Sequence, residues 1–367
     1  MDKNACITEN LLDWYDLNRR VLPWRVNRTP YGTWISEIML QQTRVAAVIP
    51  YYANFLKIFP DISSLSSADE DRVYKAWEGL GYYSRARNLI AGARFCADHF
   101  GGTLPADYET LLTVPGIGPY TAGAIASLAF GQAVPAVDGN VIRVASRLFA
   151  LFIRPQDPLA RAGIAERIRE LLPDDRAGDF NEALMDLGAS VCIPSNPDCA
   201  KCPLSNFCEA FMLGKQKELP LKKEKKEKPT LTYTMVVLTS EDHVFIRKRP
   251  DTGLLSNLYE FPYYPGYLHP GELEDKLLTD FDLPRSRILS IESLGGASHV
   301  FSHLRWEMEG YHIKCSDLHE KSAFPLPVSE SAVNGAFYPI REAKKLAFPS
   351  ALKVYKTVLF RSGGNIR

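Results

Sequence analysis

Four closely spaced cysteines constrain the fold of this chain more than any other feature of its sequence. They lie within seventeen residues, in the pattern Cys-x6-Cys-x2-Cys-x5-Cys, at Cys192, Cys199, Cys202 and Cys208. The prolines between them favour a loop over a continuous helix, so that all four thiolates can reach one centre. The spacing therefore predicts a metal site, and by itself it allows either a zinc ion or an iron–sulfur cube.

The remaining composition is that of a globular chain. Its 367 residues, 46% of them hydrophobic, suffice for two or three domains. The N-terminus has no apolar run typical of a signal peptide, so we expect reduced thiols and a metal rather than disulfides. The formal net charge of zero neither indicates nor excludes a nucleic-acid partner. The most apolar stretch, residues 121–137, is too short and too interrupted to span a membrane.

The hydrophobic pattern divides the chain into two parts. Apolar residues recur at helical spacing from about residue 11 to residue 213, and a run of lysine and glutamate follows at 222–229. We interpret this run as a linker, and a solvated helix face is the alternative. Segments of β-branched and aromatic residues come next and predict strands. They are residues 232–238, 244–249 and 300–311.

These patterns predict a mainly α fold that is followed by a smaller α+β domain. We place a helical domain at 1–215, a charged linker at 216–230 and the α+β domain at 231–367. Within the last domain, residues 272–281 and 340–346 have helical spacing.

A glycine-rich turn in the helical part is the second informative motif. In the string Leu-Thr-Val-Pro-Gly-Ile-Gly-Pro-Tyr, Gly116 and Gly118 permit a tight turn and leave backbone N–H groups uncovered. Because the turn opens a helix, these groups suit a DNA phosphate. For a Gly-x-Gly pair alone, an ordinary turn between two helices is the alternative.

Two carboxylates are candidate catalytic groups. Asp138 ends an apolar segment before a predicted helix, where it can also act as an N-cap without any chemistry. Glu37 lies among apolar neighbours, which disfavour its charged form and raise the pKa of the carboxyl, as a general acid near neutral pH requires. The alternative for Glu37 is a place on the polar face of its helix.

Taken together, these motifs resemble the iron–sulfur members of the endonuclease III superfamily, in which a hairpin, an aspartate and four cysteines follow in this order. The string Ser-Glu-Ile-Met-Leu-Gln-Gln-Thr at 36–43 is similar to the adenine DNA glycosylase branch, the MutY family, and the similarity extends from residue 11 to Cys208. The resemblance implies a two-lobed helix-hairpin-helix domain with a [4Fe–4S] cluster on the four cysteines. It also implies a Nudix-like C-terminal domain.

The resemblance assigns the chemistry to matching positions. Glu37 would protonate N7 of a flipped adenine, and Asp138 would stabilise the cationic sugar. Tyr120 and Asn140 would support this charge by hydrogen bonds. Members that cleave the strand have a lysine where this chain has Tyr120, and that lysine forms a Schiff base. Because a phenol cannot, we predict base removal without efficient strand cleavage.

Further positions match residues of the family that contact the two bases of the mispair. The implied adenine pocket consists of Arg20, Trp24, Arg25, Leu40 and Glu182. The residues that would probe or intercalate at the opposing base are Gln42, Thr43, Leu80 and Tyr82. Without the resemblance, Trp24 and Tyr82 fit core aromatics, and Arg20 and Arg25 fit surface charges.

The C-terminal part carries one string that matches the family. Phe301, Ser302 and His303 resemble a loop that reads 8-oxoguanine, and the alternative is a serine and a histidine on a strand face. The acidic residues at 258–281 lack the helical arrangement with which a hydrolysing Nudix enzyme holds a divalent cation. We therefore predict a recognition module without pyrophosphatase activity.

The resulting hypothesis is a monofunctional glycosylase that excises adenine paired with 8-oxoguanine or guanine in double-stranded DNA. The alternatives are a thymine or mismatch glycosylase of the same superfamily and a non-catalytic DNA-binding protein. We expect a monomer that does not bind membranes. It would be cytoplasmic and nucleoid-associated in a bacterium, or nuclear in a eukaryote.

Overall fold

The structure is a computed structural model, and it describes residues 2–222, 227–281, 283–316 and 335–357. The centre of the predicted linker, 223–226, lies outside these residues. Tertiary contacts divide the chain into two compact units. The first consists of Met1–Ala68 and Arg87–Lys225, and the second of Asp69–Ala86 and Lys226–Arg367. The second unit thus includes a short segment from the helical part of the sequence.

The first unit is helical, as predicted. Its helices are α1 (Lys3–Asn18), α2 (Pro23–Val26), α3 (Pro30–Leu40), α4 (Val45–Ile58), α5 (Ile62–Ser66), most of α7 (Ser84–Phe100), α8 (Tyr108–Leu111), α9 (Pro119–Ala124), α10 (Gly139–Leu148), α11 (Pro158–Arg169), α12 (Ala177–Ser190) and α13 (Glu209–Met212). A π-helical turn, Ile125–Ala129, continues α9. Helices α1, α10 and α12 pack around one hydrophobic core.

Helix α3 is buried on all sides, and its ends are set by local chemistry. Thr29 caps it by accepting a hydrogen bond from the N–H of Gly32, and Pro30 occupies its first position. The helix ends at Leu40, and two residues later Gln42 adopts a left-handed φ of 58°. This turn stops the helix and directs the chain away from the core.

The second unit is built on a mixed sheet. Its described strands are β1 (Thr230–Ser240), β2 (His243–Lys248), β3 (Tyr259–Glu260), β4 (Tyr263–Pro265), β5 (Ile288–Val300), β6 (Arg305–Cys315) and β7 (Gly335–Pro339). The sheet order is β3-β2-β1-β6-β5, with β4 on β1 and β7 on β2. Strands β1 and β6 run parallel, and Thr230 pairs with Arg305 at the start of both. The described helices are α6 (Glu70–Trp77), α14 (Pro270–Asp280), α15 (Ile340–Ala343) and α16 (Lys353–Lys356).

The strand that the sequence predicted at 300–311 is interrupted. Strand β5 ends at Val300 and β6 begins at Arg305, because the N–H of Phe301 donates to the carbonyl of Leu304 at 2.8 Å and closes a turn. The helix predicted at 340–346 is shorter, with α15 ending at Ala343. The predicted fold class, a mainly α domain before a smaller α+β domain, is confirmed. No helix within the described ranges is long and apolar enough to cross a bilayer.

Candidate active site

A cleft of about 460 Å³ in the first unit brings together most of the residues that the sequence singled out. Its walls come from α2, α3, α9, α10 and α12. The predicted residues that line it are Arg20, Trp24, Arg25, Glu37, Leu40, Gln42, Thr43, Tyr120, Asp138, Asn140 and Glu182. The volume is in the range of small-ligand sites and can hold a nucleobase.

Glu37 projects into this cleft from the buried helix α3, and it is only 5% exposed. The hydroxyl of Tyr120 donates a hydrogen bond to its Oε2. Burial raises the pKa of Glu37 to about 7, the charges of Asp138 and Glu182 act in the same direction, and the Tyr120 hydrogen bond opposes them. The carboxyl can therefore carry a proton near neutral pH.

Asp138 acts as an N-cap, and its carboxyl group also lines the cleft. Its Oδ1 accepts the N–H of Val141 at 2.7 Å, so it caps α10, and its Oδ2 accepts the side-chain amide of Asn140 at 2.7 Å. Burial raises the pKa of Asp138 above its usual value, and these hydrogen bonds limit the rise. The N-cap thus fixes a carboxylate that also lines the cleft.

Glu182, a third carboxylate in the cleft, is buried on α12. It accepts hydrogen bonds from Tyr15 at 2.5 Å and Arg28 at 2.6 Å, and Nε of Arg25 lies 3.1 Å from its Oε1. These contacts hold donors and acceptors in fixed positions. Donors and acceptors in fixed positions can recognise the edge of a base by hydrogen bonding.

Asp186 is a residue that sequence reasoning missed. It is buried one helical turn after Glu182 and accepts hydrogen bonds from Arg20 at 2.5 Å and Arg25 at 2.8 Å. Although burial opposes it, Arg25 and Arg20 hold the pKa of Asp186 below its usual value. The i, i+4 spacing of the two acids on α12 was the signal that could have found it. Tyr15 and Arg28 had no such signal.

The four cysteines line one small cavity, together with Arg147. Among the described residues, no three His, Cys, Asp or Glu side chains form a ready-made metal site. Arg147 is 2% exposed and donates to the carbonyls of Leu219, Ile193 and Pro194 and, at 3.3 Å, to Sγ of Cys192. A buried cation of this kind fits an anionic thiolate set.

Arg143 joins the cysteine loop to the cleft. Its Nε donates to the carbonyl of Cys192 at 2.7 Å, and its Nη2 donates to Oδ1 of Asn140 at 2.8 Å and to the carbonyl of Gly188 at 2.6 Å. Since Asn140 in turn donates to Asp138, three hydrogen bonds connect the loop with the catalytic candidate.

The hairpin has the conformation that its glycines suggested. Gly116 has a φ of 83°, and a Cβ there would lie 2.7 Å from Cβ of Asn88. Gly118 precedes α9 and has open space around its Cα. A phosphate can approach this turn closely.

The remaining predicted site residues lie in the second unit. Phe301, Ser302 and His303 form the tip of the β5–β6 hairpin, where Phe301 packs on Trp306 with ring centroids 5.0 Å apart, and Ser302 and His303 are exposed. Leu80 is buried, whereas Tyr82 is 44% exposed.

The sheet of this unit holds an internal ion cluster. Glu260 is buried and pairs with Arg247 at 2.8 Å and also with Arg249. Both arginines are thereby paired with Glu260 inside this unit. The glutamate itself has no freedom to ligate a cation.

Comparison with known proteins identifies the family. Residues 35–170 match a family model described as HhH-GPD superfamily base excision DNA repair protein, and residues 233–356 match a NUDIX domain. The chain is 36% identical to the adenine DNA glycosylase of Buchnera aphidicola subsp. Baizongia pistaciae, over 81% of this chain and 82% of that one. It belongs to the adenine DNA glycosylase family.

A mammalian member of the adenine DNA glycosylase family, from Mus musculus, is 34% identical over 86% of this chain and 72% of its own length. A solved structure of a thermostable thymine-DNA glycosylase superposes with a TM-score of 0.54 at 30% identity, covering 57% of this chain and 97% of that one. The resemblance to the adenine DNA glycosylase family is thus confirmed. The roles of individual site residues remain predictions.

Proposed function

We propose that this protein is a monofunctional adenine DNA glycosylase, which excises adenine opposite 8-oxoguanine or guanine in double-stranded DNA. The observation that carries the proposal is a pair of carboxyls in one cleft, the buried Glu37 with a pKa of about 7 and the partly buried Asp138, which is held by the N-terminus of α10. Family membership supports the choice of adenine. A non-catalytic DNA-binding protein has no need to keep an acid buried and protonated.

Glu37 is the general acid of this proposal. Adenine is a poor leaving group because the departing anion is basic. Protonation at N7 lets a neutral base depart, and burial raises the pKa of Glu37 to about 7, so its carboxyl can supply this proton near neutral pH. The base reaches Glu37 only after it leaves the stack, which costs about a few kcal/mol.

Asp138 stabilises the charge that grows on the sugar as the base departs. Its carboxylate is fixed by Val141 and Asn140, so it needs no reorganisation at the moment of reaction. Tyr120 and Asn140, which line the same cleft, support this charge by their hydrogen bonds. A water then completes hydrolysis, as at other glycosidic bonds.

The absence of strand cleavage follows from the lining of the cleft. A Schiff base needs a primary amine, and the described residues around the cleft include arginines but no lysine. By the family resemblance, Tyr120 stands at the position where strand-cleaving members have the attacking lysine. We expect an abasic site as the product.

Recognition of the opposing base is assigned to Gln42, Thr43 and Tyr82 and to the hairpin tip with Phe301, Ser302 and His303. The exposed Ser302 and His303 offer hydrogen bonds to the altered edge of 8-oxoguanine. Gly116 and Gly118 would bind a phosphate, a contact that weakens with salt. We propose that the protein acts as a monomer on chromosomal DNA, in the bacterial cytoplasm or a eukaryotic nucleus.

We also propose a [4Fe–4S] cluster on Cys192, Cys199, Cys202 and Cys208. Their common cavity and the buried Arg147 beside Cys192 support an anionic four-sulfur site. When bound, the cluster would supply structural order to the loop, and no step of excision passes through it. Iron analysis and absorbance near about 400 nm test this. Stoichiometric zinc without iron would contradict it.

The experiment for the activity uses duplexes with A opposite 8-oxoguanine, A opposite guanine, and T opposite guanine, each with and without alkali. Strand breaks that appear only after alkali, and only on the A-containing strands, are expected. Breaks without alkali would contradict monofunctional action. Breaks on the T-containing strand would favour the thymine glycosylase alternative, whose fold this chain shares.

A further inference from the structure

A strained loop in the second unit displays a tyrosine. Residues 79–82 include three left-handed φ values, 107° at Gly79, 72° at Gly81 and 48° at Tyr82. A side chain with a Cβ adopts this conformation at a cost, and it persists only where the surroundings fix it. The Tyr82 ring is 44% exposed and lies 5.6 Å from the guanidinium of Arg85.

The loop is fixed from within by hydrogen bonds to its backbone. The indole of Trp77 donates to the carbonyl of Gly81 at 3.2 Å, and Arg85 donates to the same carbonyl at 3.0 Å. Arg85 also donates to the carbonyl of Leu80 at 3.2 Å. The donors Trp77 and Arg85 belong to α6 and α7, so the position of the loop is fixed by the positions of these two helices.

Helix α6 is in turn held by the C-terminal part of its unit. Asp71 at its start accepts hydrogen bonds from Lys248 at 2.6 Å and from the hydroxyl of Tyr259 at 2.7 Å. Lys75 donates to the carbonyls of Lys344 at 2.8 Å and Leu346 at 3.2 Å.

The end of α6 makes the most buried of these contacts. Glu78, which immediately precedes Gly79, accepts a hydrogen bond from Nζ of Lys356 and another from the N–H of Phe348 at 3.2 Å. Tyr83, just after the loop, donates to the carbonyl of Phe348 at 3.3 Å. Lys356 is 8% exposed. Both ends of the strained loop are thus tied to residues 348–356.

We propose that these contacts form a joint through which the C-terminal domain presents Tyr82 to DNA, with Glu78 and Lys356 as positioning residues at its centre. The inference rests on the proposed function, in which Tyr82 contacts the mispair. It adds that the C-terminal domain acts on recognition through this loop as well as through its own hairpin tip. Loss of the joint lets the backbone of Tyr82 leave its left-handed conformation.

Hydrogen exchange of the full-length protein without DNA tests the joint directly. Lys356→Met keeps the bulk of the side chain and removes its charge, and it should speed amide exchange in residues 79–86 by about tenfold or more. The matched control is Lys314→Met, which breaks an exposed pair with Glu292 elsewhere in the unit and should leave these amides unchanged. Unchanged exchange in Lys356→Met would overturn the proposal.

Binding to a duplex with a non-cleavable adenine analogue opposite 8-oxoguanine provides the second readout. Lys356→Met and Tyr82→Ala should each weaken binding about tenfold, and the double variant should bind no worse than Tyr82→Ala. Additive losses, about a hundredfold together, would contradict a joint that acts through Tyr82. The hydrogen-exchange experiment needs no substrate. A protein that fails to excise adenine would therefore contradict the proposed function but would not contradict the joint.

A charge swap covers the case in which Lys356→Met fails to fold. Asp71→Lys should loosen residues 79–86 by repelling Lys248, and the double variant Asp71→Lys with Lys248→Glu should restore their protection. Unchanged exchange in Asp71→Lys, or a double variant that stays loose, would count against the proposal.

Discussion

The hydroxyl of Tyr120, on α9, donates a hydrogen bond to Oε2 of Glu37, on α3. The bond favours the ionised carboxylate, whereas burial favours the protonated form, and burial is the larger effect. Burial and the neighbouring carboxylates also raise the pKa of Tyr120 well above its usual value, so the phenol stays a donor. The two opposing effects therefore leave the pKa of the Glu37 carboxyl at about 7.

Removal of this hydrogen bond should change the pH dependence of excision. In Tyr120→Phe the ionised form of Glu37 loses its donor, so the pKa of the carboxyl rises, and the pH at which single-turnover excision falls to half moves upward. Single-turnover rates over the neutral range measure this. Tyr108→Phe, on the neighbouring α8, is the control and should keep the wild-type profile. A downward shift in Tyr120→Phe would contradict the assignment.

Glu37→Gln should lose about a thousandfold in the single-turnover rate, equivalent to about 4 kcal/mol in barrier. An amide cannot deliver a proton to N7, although it fills the same space. The residual rate should also lack the decline that is expected for the wild type as pH rises through about 7. Glu166→Gln, on the exposed face of α11, is the control. Near-normal excision by Glu37→Gln would exclude the general-acid role.

Asp138→Asn separates the catalytic charge from the N-cap. Asparagine caps helices about as well as aspartate, so the melting temperature should change little, while excision should fall by roughly a thousandfold. The matched control is Asp157→Asn, which makes the same change at the N-cap of α11. An active Asp138→Asn variant would reduce Asp138 to its structural role.

Arg143→Met should lower excision without touching the cleft directly. It removes the donor that orients Asn140 and the tie to the carbonyl of Cys192. We expect a loss of about ten- to a hundredfold, the usual cost of a small misplacement of a catalytic group, and a more labile iron content. Exposed Arg169 supplies the control, Arg169→Met. If Arg143→Met keeps the wild-type excision rate and the wild-type iron content, the three hydrogen bonds do not couple the cysteine loop to Asp138.

The sequence predicted the parts of the cleft that come from strings of unusual composition. Glu37 within an apolar helix and Asp138 before a helix leave local signals, whereas Tyr120 was singled out only by the family resemblance; the cleft brings the three together. Tyr15 and Arg28 were missed because their roles arise only when α1, α2 and α12 pack and bury charges that must then be paired. Asp186 was missed although its i, i+4 spacing from Glu182 was visible in the sequence.

The fold class was predictable for the same reason, since helical and strand periodicity are local. The grouping of α6 with the C-terminal part was not, because it depends on pairs such as Asp71 with Lys248, which are 177 residues apart. The break between β5 and β6 was missed because residues 300–311 keep strand-like composition through the turn. Only the hydrogen bond from Phe301 to Leu304 marks it.

The buried Glu37 should also make global stability depend on pH. Its pKa is raised from 4.5 to about 7 on folding, so the folded state binds the proton more tightly than the unfolded state. The free energy of unfolding should therefore fall as pH rises from about 4.5 to about 7 and stay level above. At about 1.4 kcal/mol per pKa unit, the total is on the order of 3 kcal/mol.

Denaturant unfolding of wild type and Glu37→Gln across this pH window measures the difference in the free energy of unfolding, which should grow with pH in favour of the glutamine variant. Parallel curves for the two proteins would mean that Glu37 titrates normally in the folded state, and the general-acid assignment would lose its physical basis.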